Sequence, residues 1–172
     1  ELTDFAFKLG LLEEVAGEKA VEGFYQNRNF KPVWIGQGPA ATERRTALFT
    51  ALEQADLHAL PVRRYRADLG LFKKRSQDGR QWGILEGQLT MAFLRYAKDV
   101  HAGLLKPSKV DELIFRKLPR INQGELLQRV VSEPAKAVLN SLPPQSDAYK
   151  NLMKARQKLL KARLDAPWGP VL

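Results

Sequence analysis

Histidine, cysteine and serine are the side chains that most often carry catalysis or bind metals, and this sequence contains few of them. It has two histidines, His58 and His101, and no cysteine. A zinc site needs three or four ligands from His, Cys and carboxylate side chains, so the sequence predicts no metal site and no cofactor. No serine stands in the Gly-x-Ser-x-Gly setting of an activated nucleophile; the serines are Ser76, Ser108, Ser132, Ser141 and Ser146.

Paired carboxylates are the other common catalytic arrangement. Glu13-Glu14 and Asp111-Glu112 are adjacent in sequence, and neighbouring residues on a helix point in different directions. Both pairs are therefore interpreted as solvated surface. A cell-wall hydrolase that works through a single Glu leaves little trace in a sequence. The sequence therefore does not exclude this class of enzyme. The Gly36-Gln37-Gly38-Pro39 segment lacks the pattern of a phosphate-binding loop.

Positive charge is concentrated in two segments of a chain whose formal net charge is +9. Residues 63–80 hold seven basic residues against two acidic ones, and residues 147–164 hold six against one. The first group is Arg63, Arg64, Arg66, Lys73, Lys74 and Arg75. In the second, lysines recur at i,i+3 or i,i+4 and so share one side of a helix: Lys150, Lys154, Lys158 and Lys161. Both groups are candidates for binding a partner or a polyanion.

Two interpretations of these basic groups stay open. They can be solvated helix faces that keep the protein soluble, or they can bind a polyanion through salt-dependent contacts. A basic helical domain that binds nucleic acid is the alternative function. Only Tyr65 and Phe72 interleave the first group, which is poor support for base stacking, and no nucleic-acid-binding motif accompanies the charge.

Helical spacing of apolar residues, divided by Pro and Gly, predicts an all-α fold: a multi-helix bundle of about six to eight short helices without a substantial sheet. The central helix is predicted over 82–101 and ends at Gly103, which suits a left-handed terminal residue. Thr42 and Asn122 are predicted N-caps, and Pro134 is predicted to open a helix. The remaining helices are expected at residues 2–15, around 21–25, at 62–71 and at 147–164.

The same spacing predicts which side chains face the core. On the central helix these are Leu85, Leu89, Ala92, Phe93, Tyr96 and Val100; on the last helix they are Tyr149, Leu152, Met153, Leu159 and Leu160. Trp34 and Trp82 are predicted core anchors because their neighbours are apolar. His101 lies in a last helical turn, where a histidine can bond to free carbonyls, so a structural role is predicted for it.

Length and composition suit one domain. Residues 1–164 are predicted to be a helical domain, and residues 165–172, rich in Pro and Gly, a linker towards a further region. No apolar run approaches the roughly 20 residues that span a bilayer, so no membrane span is expected in this chain.

Four stretches, taken in order, resemble one protein family. The first runs from Phe24 to Trp34, the second covers 51–65, the third runs from Phe93 to Gly103, and the fourth covers 142–159. The family is the non-catalytic scaffold domain of large, YcbB-like L,D-transpeptidases. The residues that carry the resemblance are Phe24, Tyr25, Pro32, Trp34, His58, Tyr65, Arg95, Tyr96, Asp99, His101, Gly103 and Tyr149; they are called the motif residues below.

The resemblance implies a periplasmic protein concerned with peptidoglycan cross-linking. In the family the scaffold is followed by a peptidoglycan-binding domain and by a catalytic domain with a Cys nucleophile. The implied partners are therefore those domains, other wall enzymes or the sacculus. Because this chain has no cysteine, it cannot itself perform that acyl transfer. Ala59 and Ala102 stand where the family commonly has Gly, which affects local turn geometry.

Overall fold

Eight α-helices and two 3₁₀ turns make up the described part of the chain, in a computed structural model covering residues 2–73, 78–105 and 120–165. The helices are α1 (Leu2–Glu14), α2 (Lys19–Asn27), α3 (Pro39–Glu53), α4 (Arg66–Leu71), α5 (Gly79–Ala102), α6 (Gln123–Ser132), α7 (Ala135–Ser141) and α8 (Asp147–Asp165). The 3₁₀ turns are Ala55–His58 and Val62–Tyr65. These ranges contain no strand. The predicted all-α class is confirmed.

Helix α5 is the central element of the bundle. Asp78 caps its start by accepting a hydrogen bond from the backbone N–H of Gln81 at 2.8 Å, which places the beginning three residues before the predicted one. Gly103, with φ +80°, follows its last residue. All six side chains predicted to face inward are buried, namely Leu85, Leu89, Ala92, Phe93, Tyr96 and Val100.

Helix α1 packs on α5 through a close approach of the two backbones. A Cβ atom at Gly83 would overlap the carbonyl oxygen of Phe7, and one at Gly87 would lie 2.7 Å from Cβ of Glu14. The buried side of α1 carries Phe7 and Leu11, and Val15, directly after the helix, is also buried. Apolar residues occur on the outer side as well, where Phe5 is 66% exposed. The helix predicted over residues 2–15 is confirmed.

The chain turns sharply after α2, and this turn places the backbone N–H groups of residues 33–35 in the core. Asn29 and Phe30 both have left-handed backbone angles, with φ of 53° and 56°. Pro32 follows, and Val33 and Trp34 are fully buried. The N–H groups of residues 33–35 consequently point towards α5, where they donate to the carboxylate of Glu86.

Helix α3 holds α6 and α7 in place through its first two turns. The Arg44 guanidinium donates to the carbonyls of Val130 and Val131 at 3.0 and 3.2 Å, at the end of α6. The Glu43 carboxylate accepts from the N–H groups of Ala135 and Lys136, at the start of α7. These charges complement the dipoles of the two helix ends.

Two of the three predicted helix-opening residues are located differently from expectation. The prediction of Thr42 as an N-cap is wrong, because α3 begins at Pro39, whose fixed φ suits a first helical position. Pro134 lies one residue before α7 rather than in its first position. Asn122 is confirmed as the N-cap of α6, since its side chain accepts from the Glu125 N–H at 3.2 Å.

Helix α8 lies against the body of the domain mainly at the 3₁₀ turn Ala55–His58. Arg156 donates to the Asp56 carbonyl at 2.6 Å, and Tyr149 and Met153 are half-buried. The predicted inward orientation is wrong for Leu152, Leu159 and Leu160, of which the first two are 63% and 64% exposed. Trp82, predicted to be a core anchor, is also 37% exposed, whereas Trp34 is fully buried as expected.

The Ala59 backbone adopts the left-handed conformation, with φ 60° and ψ 20°, directly after the 3₁₀ turn. That conformation costs an L-residue about 1–2 kcal/mol, and Gly adopts it freely. We expect Ala59→Gly to stabilise the domain by about 0.5–1 kcal/mol after the greater flexibility of unfolded Gly is subtracted. Urea denaturation measures the change. Ala148→Gly, in the first turn of α8, is the control and should lower stability, and a loss of stability in both variants would contradict the prediction.

Candidate interaction surfaces and their supporting framework

A buried carboxylate joins α5 to the turn after α2. Glu86 is fully buried, and its Oε2 accepts from the N–H groups of Trp34 and Ile35, both at 3.0 Å. Its Oε1 accepts from the Val33 N–H and from the Tyr25 hydroxyl, the latter at 2.7 Å. Burial raises the pKa of Glu86, while these hydrogen bonds act in the opposite direction. With every acceptor position occupied from inside the fold, this acid is structural.

Thr90 extends the same cluster by one turn of α5. Its hydroxyl accepts from the Trp34 indole N–H at 3.0 Å and lies 2.7 Å from the Tyr25 hydroxyl. It also donates to the Glu86 carbonyl at 3.0 Å. The Trp34 ring packs on Phe93, with centroids 5.5 Å apart. A polar network with all partners satisfied specifies one arrangement of the core around it.

A second buried acid ties α5 to the 3₁₀ turn Val62–Tyr65. Asp99 accepts two hydrogen bonds from the Arg64 guanidinium, at 2.6 and 3.2 Å, and one from the Tyr65 hydroxyl at 2.9 Å. A bidentate arginine–carboxylate pair is strong and geometrically specific. The rings of Tyr65 and Tyr96 meet edge to face at 5.9 Å. Arg64, a candidate for binding a polyanion, is thus engaged within the domain.

Helix α4 is fastened to α5 in a similar way. The buried Asp68 accepts from the Arg95 guanidinium through both carboxylate oxygens, at 2.8 and 2.9 Å. Burial raises the pKa of Asp68, and the positive charge of Arg95 opposes that shift. Arg95, one of the motif residues, therefore has an internal partner that the sequence did not indicate.

The two histidines connect the ends of the bundle. His58 Nδ1 lies 2.9 Å from the Tyr149 hydroxyl, which links the turn Ala55–His58 to α8. Burial lowers the pKa of His58, so its ring is neutral at neutral pH. His101 Nδ1 lies 3.2 Å from the Leu142 carbonyl. This contact is structural, as predicted. The predicted partner was a free carbonyl of His101's own helix, but the observed one is the carbonyl of Leu142, the residue directly after α7.

Most motif residues therefore contact one another or hold neighbouring elements together. Tyr25 and Trp34 meet at Glu86 and Thr90, Tyr65 meets Asp99, and His58 meets Tyr149. Phe24 packs edge to face on Tyr25 at 5.1 Å. Pro32 lies in the turn after α2, and Gly103 ends α5. These contacts form a structural framework.

The exposed surface of α8 has two parts. One is the row of lysines predicted from the sequence, Lys150, Lys154, Lys158 and Lys161, all of which are exposed. The other is the exposed apolar pair Leu152 and Leu159. Residues four apart share a side of a helix, so the lysine row presents a continuous strip of positive charge. We call this combination the α8 surface.

The other basic group is described only in part. Arg63, Arg66 and Lys73 are exposed, while Arg64 is paired with Asp99. Lys74 and Arg75 lie outside the described residues, so polyanion binding by this group stays a prediction.

Within the described ranges, no group of three or more His, Asp or Glu side chains is arranged to hold a metal ion. No helix among the described residues is long and apolar enough to cross a membrane.

Comparison with known proteins identifies the family of this chain. The family model of the Scaffold domain matches residues 19–155, which is most of the chain. The chain belongs to the Scaffold domain family. No curated protein and no solved structure matches it. The matched segment of this scaffold domain contains the three buried acids Asp68, Glu86 and Asp99 and all twelve motif residues. Helix α1 and the last ten residues of α8 lie outside it.

Sequence reasoning missed Glu86, Thr90 and Asp68. Glu86 and Thr90 lie four residues apart on the same side of α5 as Leu89 and Phe93, which was the available signal for a buried acid. The partners of Glu86 could not be inferred, because most of them are backbone N–H groups, which every residue except proline has.

Proposed function

We propose that this chain is the non-catalytic scaffold domain of a periplasmic L,D-transpeptidase. In that role it positions the catalytic region, or binds partner wall enzymes, during peptidoglycan cross-linking. The observation that carries the proposal is the match to the Scaffold domain family over residues 19–155, joined to the motif residues that occupy the structural framework.

The framework supports a positioning role. Three of its links, at Glu86, Asp99 and Asp68, fix the 33–35 segment, the turn Val62–Tyr65 and α4 to one central helix. Multiple charged hydrogen bonds from separate elements favour a single arrangement. A domain that holds another domain in a defined orientation requires such internal rigidity.

The α8 surface supports a docking role. It extends past the matched segment and carries exposed leucines on one side of the helix and a row of lysines on the opposite side. Apolar contacts supply binding energy and surface charges speed association, so either side can serve an interface. Anionic wall polymers and acidic protein surfaces both complement the lysine row.

The experiment that tests the proposed function is the identification of the native gene product. An antibody raised against this domain is applied to whole-cell and periplasmic extracts. We expect a periplasmic band well above 19.5 kDa, and fewer direct diaminopimelate cross-links in the sacculus when the gene is deleted. A band near 19.5 kDa, or unchanged cross-links after deletion, would overturn the proposal of a transpeptidase scaffold.

Charge removal on the α8 surface is predicted to weaken association with the wall. Lys154→Gln, Lys158→Gln and Lys161→Gln together remove three exposed charges and leave the leucines in place. We expect binding to purified sacculi in low salt to fall about 5- to 20-fold, because surface charges act strongly when screening is weak. Thermal unfolding should not change, since these side chains are exposed.

The matched control removes three exposed lysines elsewhere, Lys19, Lys31 and Lys98. If both triple variants bind sacculi equally well, the α8 surface has no specific role. If the wild-type domain instead retards duplex or single-stranded DNA at about 50 mM salt and ignores sacculi, the nucleic-acid alternative replaces the wall assignment.

A further inference from the structure

A groove lies between α3 and α7. Its volume is about 700 Å³, and it runs along α3 from Pro39 to Gln54. At 1.5 Å per residue that stretch of helix is about 22 Å long. The volume is within the range of ligand-binding clefts in proteins. His58 lies at its far end.

The groove is lined by uncharged groups along most of its length. Its charged lining residues are one acid, Glu43, and one base, Lys136, and Glu43 already accepts from the N–H groups at the start of α7. The inner part is formed by less exposed residues, Ala47, Ala51 and Leu139. A strongly charged ligand would find no matching charge here.

One wall of the groove carries a regular row of hydroxyl groups. Thr42, Thr46 and Thr50 are exposed and lie four residues apart on α3, so their spacing along the helix is about 6 Å. Backbone groups on one side of an extended polypeptide recur about every 6.6–6.8 Å. A docked α-helix, by contrast, satisfies its own backbone hydrogen bonds and has few backbone groups free to pair with these hydroxyls. The Thr42 hydroxyl also accepts from the Arg45 guanidinium at 3.1 Å and still has its own proton to donate.

Tyr96 gives an independent indication of a ligand. Its side chain is 3% exposed and lines the groove, and among the described residues its hydroxyl makes no hydrogen bond. Every fully enclosed side-chain nitrogen or oxygen atom of the described residues has a partner, so this hydroxyl must be reachable from outside. The groove is where the otherwise buried Tyr96 side chain meets the exterior, so a ligand in the groove can reach its hydroxyl and bond to it in place of water.

We propose that the groove between α3 and α7 binds an extended, uncharged peptide segment of about seven residues, with the Tyr96 hydroxyl bonded to its backbone. The row of threonines supplies hydrogen bonds along one edge, and the alanine-lined inner part receives alternate apolar side chains. The length follows from the 22 Å of groove divided by about 3.3 Å per extended residue. This inference does not depend on the proposed function.

The test is selection from a phage-displayed library of random seven-residue peptides on the immobilised chain. Enriched sequences are then synthesised and titrated against the purified protein by calorimetry. We expect uncharged sequences with alternating apolar residues. Thr50→Trp, which fills the groove from an exposed position, should weaken their binding at least about 10-fold, and Gln26→Trp, exposed on α2, should bind as the wild type does.

Tyr96→Phe separates a binding role from a structural one. Because the hydroxyl has no partner within the described domain, its loss should leave the Tm unchanged while weakening peptide binding about 5- to 10-fold. The proposal is overturned if no sequence is enriched over selection on Thr50→Trp, or if the enriched peptides are acidic and bind both Trp variants equally. Binding of N-acetylglucosamine oligomers but of no peptide, lost in Thr50→Trp, would also overturn it and assign the groove to a sugar.

Discussion

Replacing Glu86 by Gln should lower the stability of this domain by about 3–5 kcal/mol, although the two side chains have nearly the same shape. The carboxylate accepts from three consecutive backbone N–H groups and from the Tyr25 hydroxyl. Gln offers one acceptor oxygen and one NH₂ donor. The NH₂ group would face N–H donors, so at least two buried donors would lose their partner.

The size of the effect follows from the cost of buried donors without partners. Each costs about 1–3 kcal/mol, and hydrogen bonds to a charged group are worth about 1.5–3 kcal/mol. For a domain of this length, a loss of 3–5 kcal/mol corresponds to a fall in Tm of about 6–20 °C. Thermal and urea unfolding followed by circular dichroism measure it.

Glu53→Gln is the control, since Glu53 is exposed on α3 and loses only a solvated charge. Tyr25→Phe should have an intermediate effect, because it removes one donor from Glu86 and leaves the three N–H groups bonded. A Glu86→Gln variant whose Tm lies within about 2 °C of the wild-type Tm would contradict the structural role assigned to this carboxylate.

The elements of this fold follow from its sequence more directly than their orientations do. Helix α5 was predicted because six apolar side chains recur at helical spacing, and they are all buried. Glu86 was not recognised because its energetic value depends on residues more than fifty positions away. Periodicity identifies a buried side, but it does not identify the partner of a polar group on that side.

Apolar spacing does not by itself assign the buried face of α1 or of α8. On α1 both sides carry apolar residues, and the buried one is selected by Gly83 and Gly87 of α5, which let the backbones meet. On α8, Leu152 and Leu159 were predicted to pack inside this chain, but they are exposed. Apolar spacing predicts that one side of a helix can pack against other residues. Only the structure shows whether residues of this domain pack there.

The distribution of charge explains why the basic residues divide into two kinds. Arg64, Arg95 and Arg44 hold internal carboxylates or helix ends, whereas the lysines of α8 are exposed and spaced along one side. Arginine suits bidentate internal pairing because of its planar fork, and lysine is a hydrated point charge. Net charge alone could not make this distinction, since both kinds contribute equally to it.

Gly83→Ala should separate α1 from the rest of the bundle. A Cβ at this position would overlap the Phe7 carbonyl oxygen and lie 2.7 Å from the Leu11 backbone nitrogen. Both are backbone atoms of a helix, which cannot rotate away as a side chain can. We expect a loss of about 3 kcal/mol or more, because moving α1 outward exposes apolar side chains worth about 1.5–3 kcal/mol each. Urea unfolding measures the loss, and amide hydrogen exchange should quicken first in α1.

Gly23→Ala is the matched control, since Gly23 lies within α2 and a Cβ there would meet no atom within 4 Å. It should stabilise the domain by about 0.5–1 kcal/mol, because Ala is the better helix former. The two substitutions are chemically identical, so opposite signs isolate the close approach of α1 and α5 as the cause. If Gly83→Ala also stabilised the domain and left the α1 amides protected, the two helices could not be packed through their backbones.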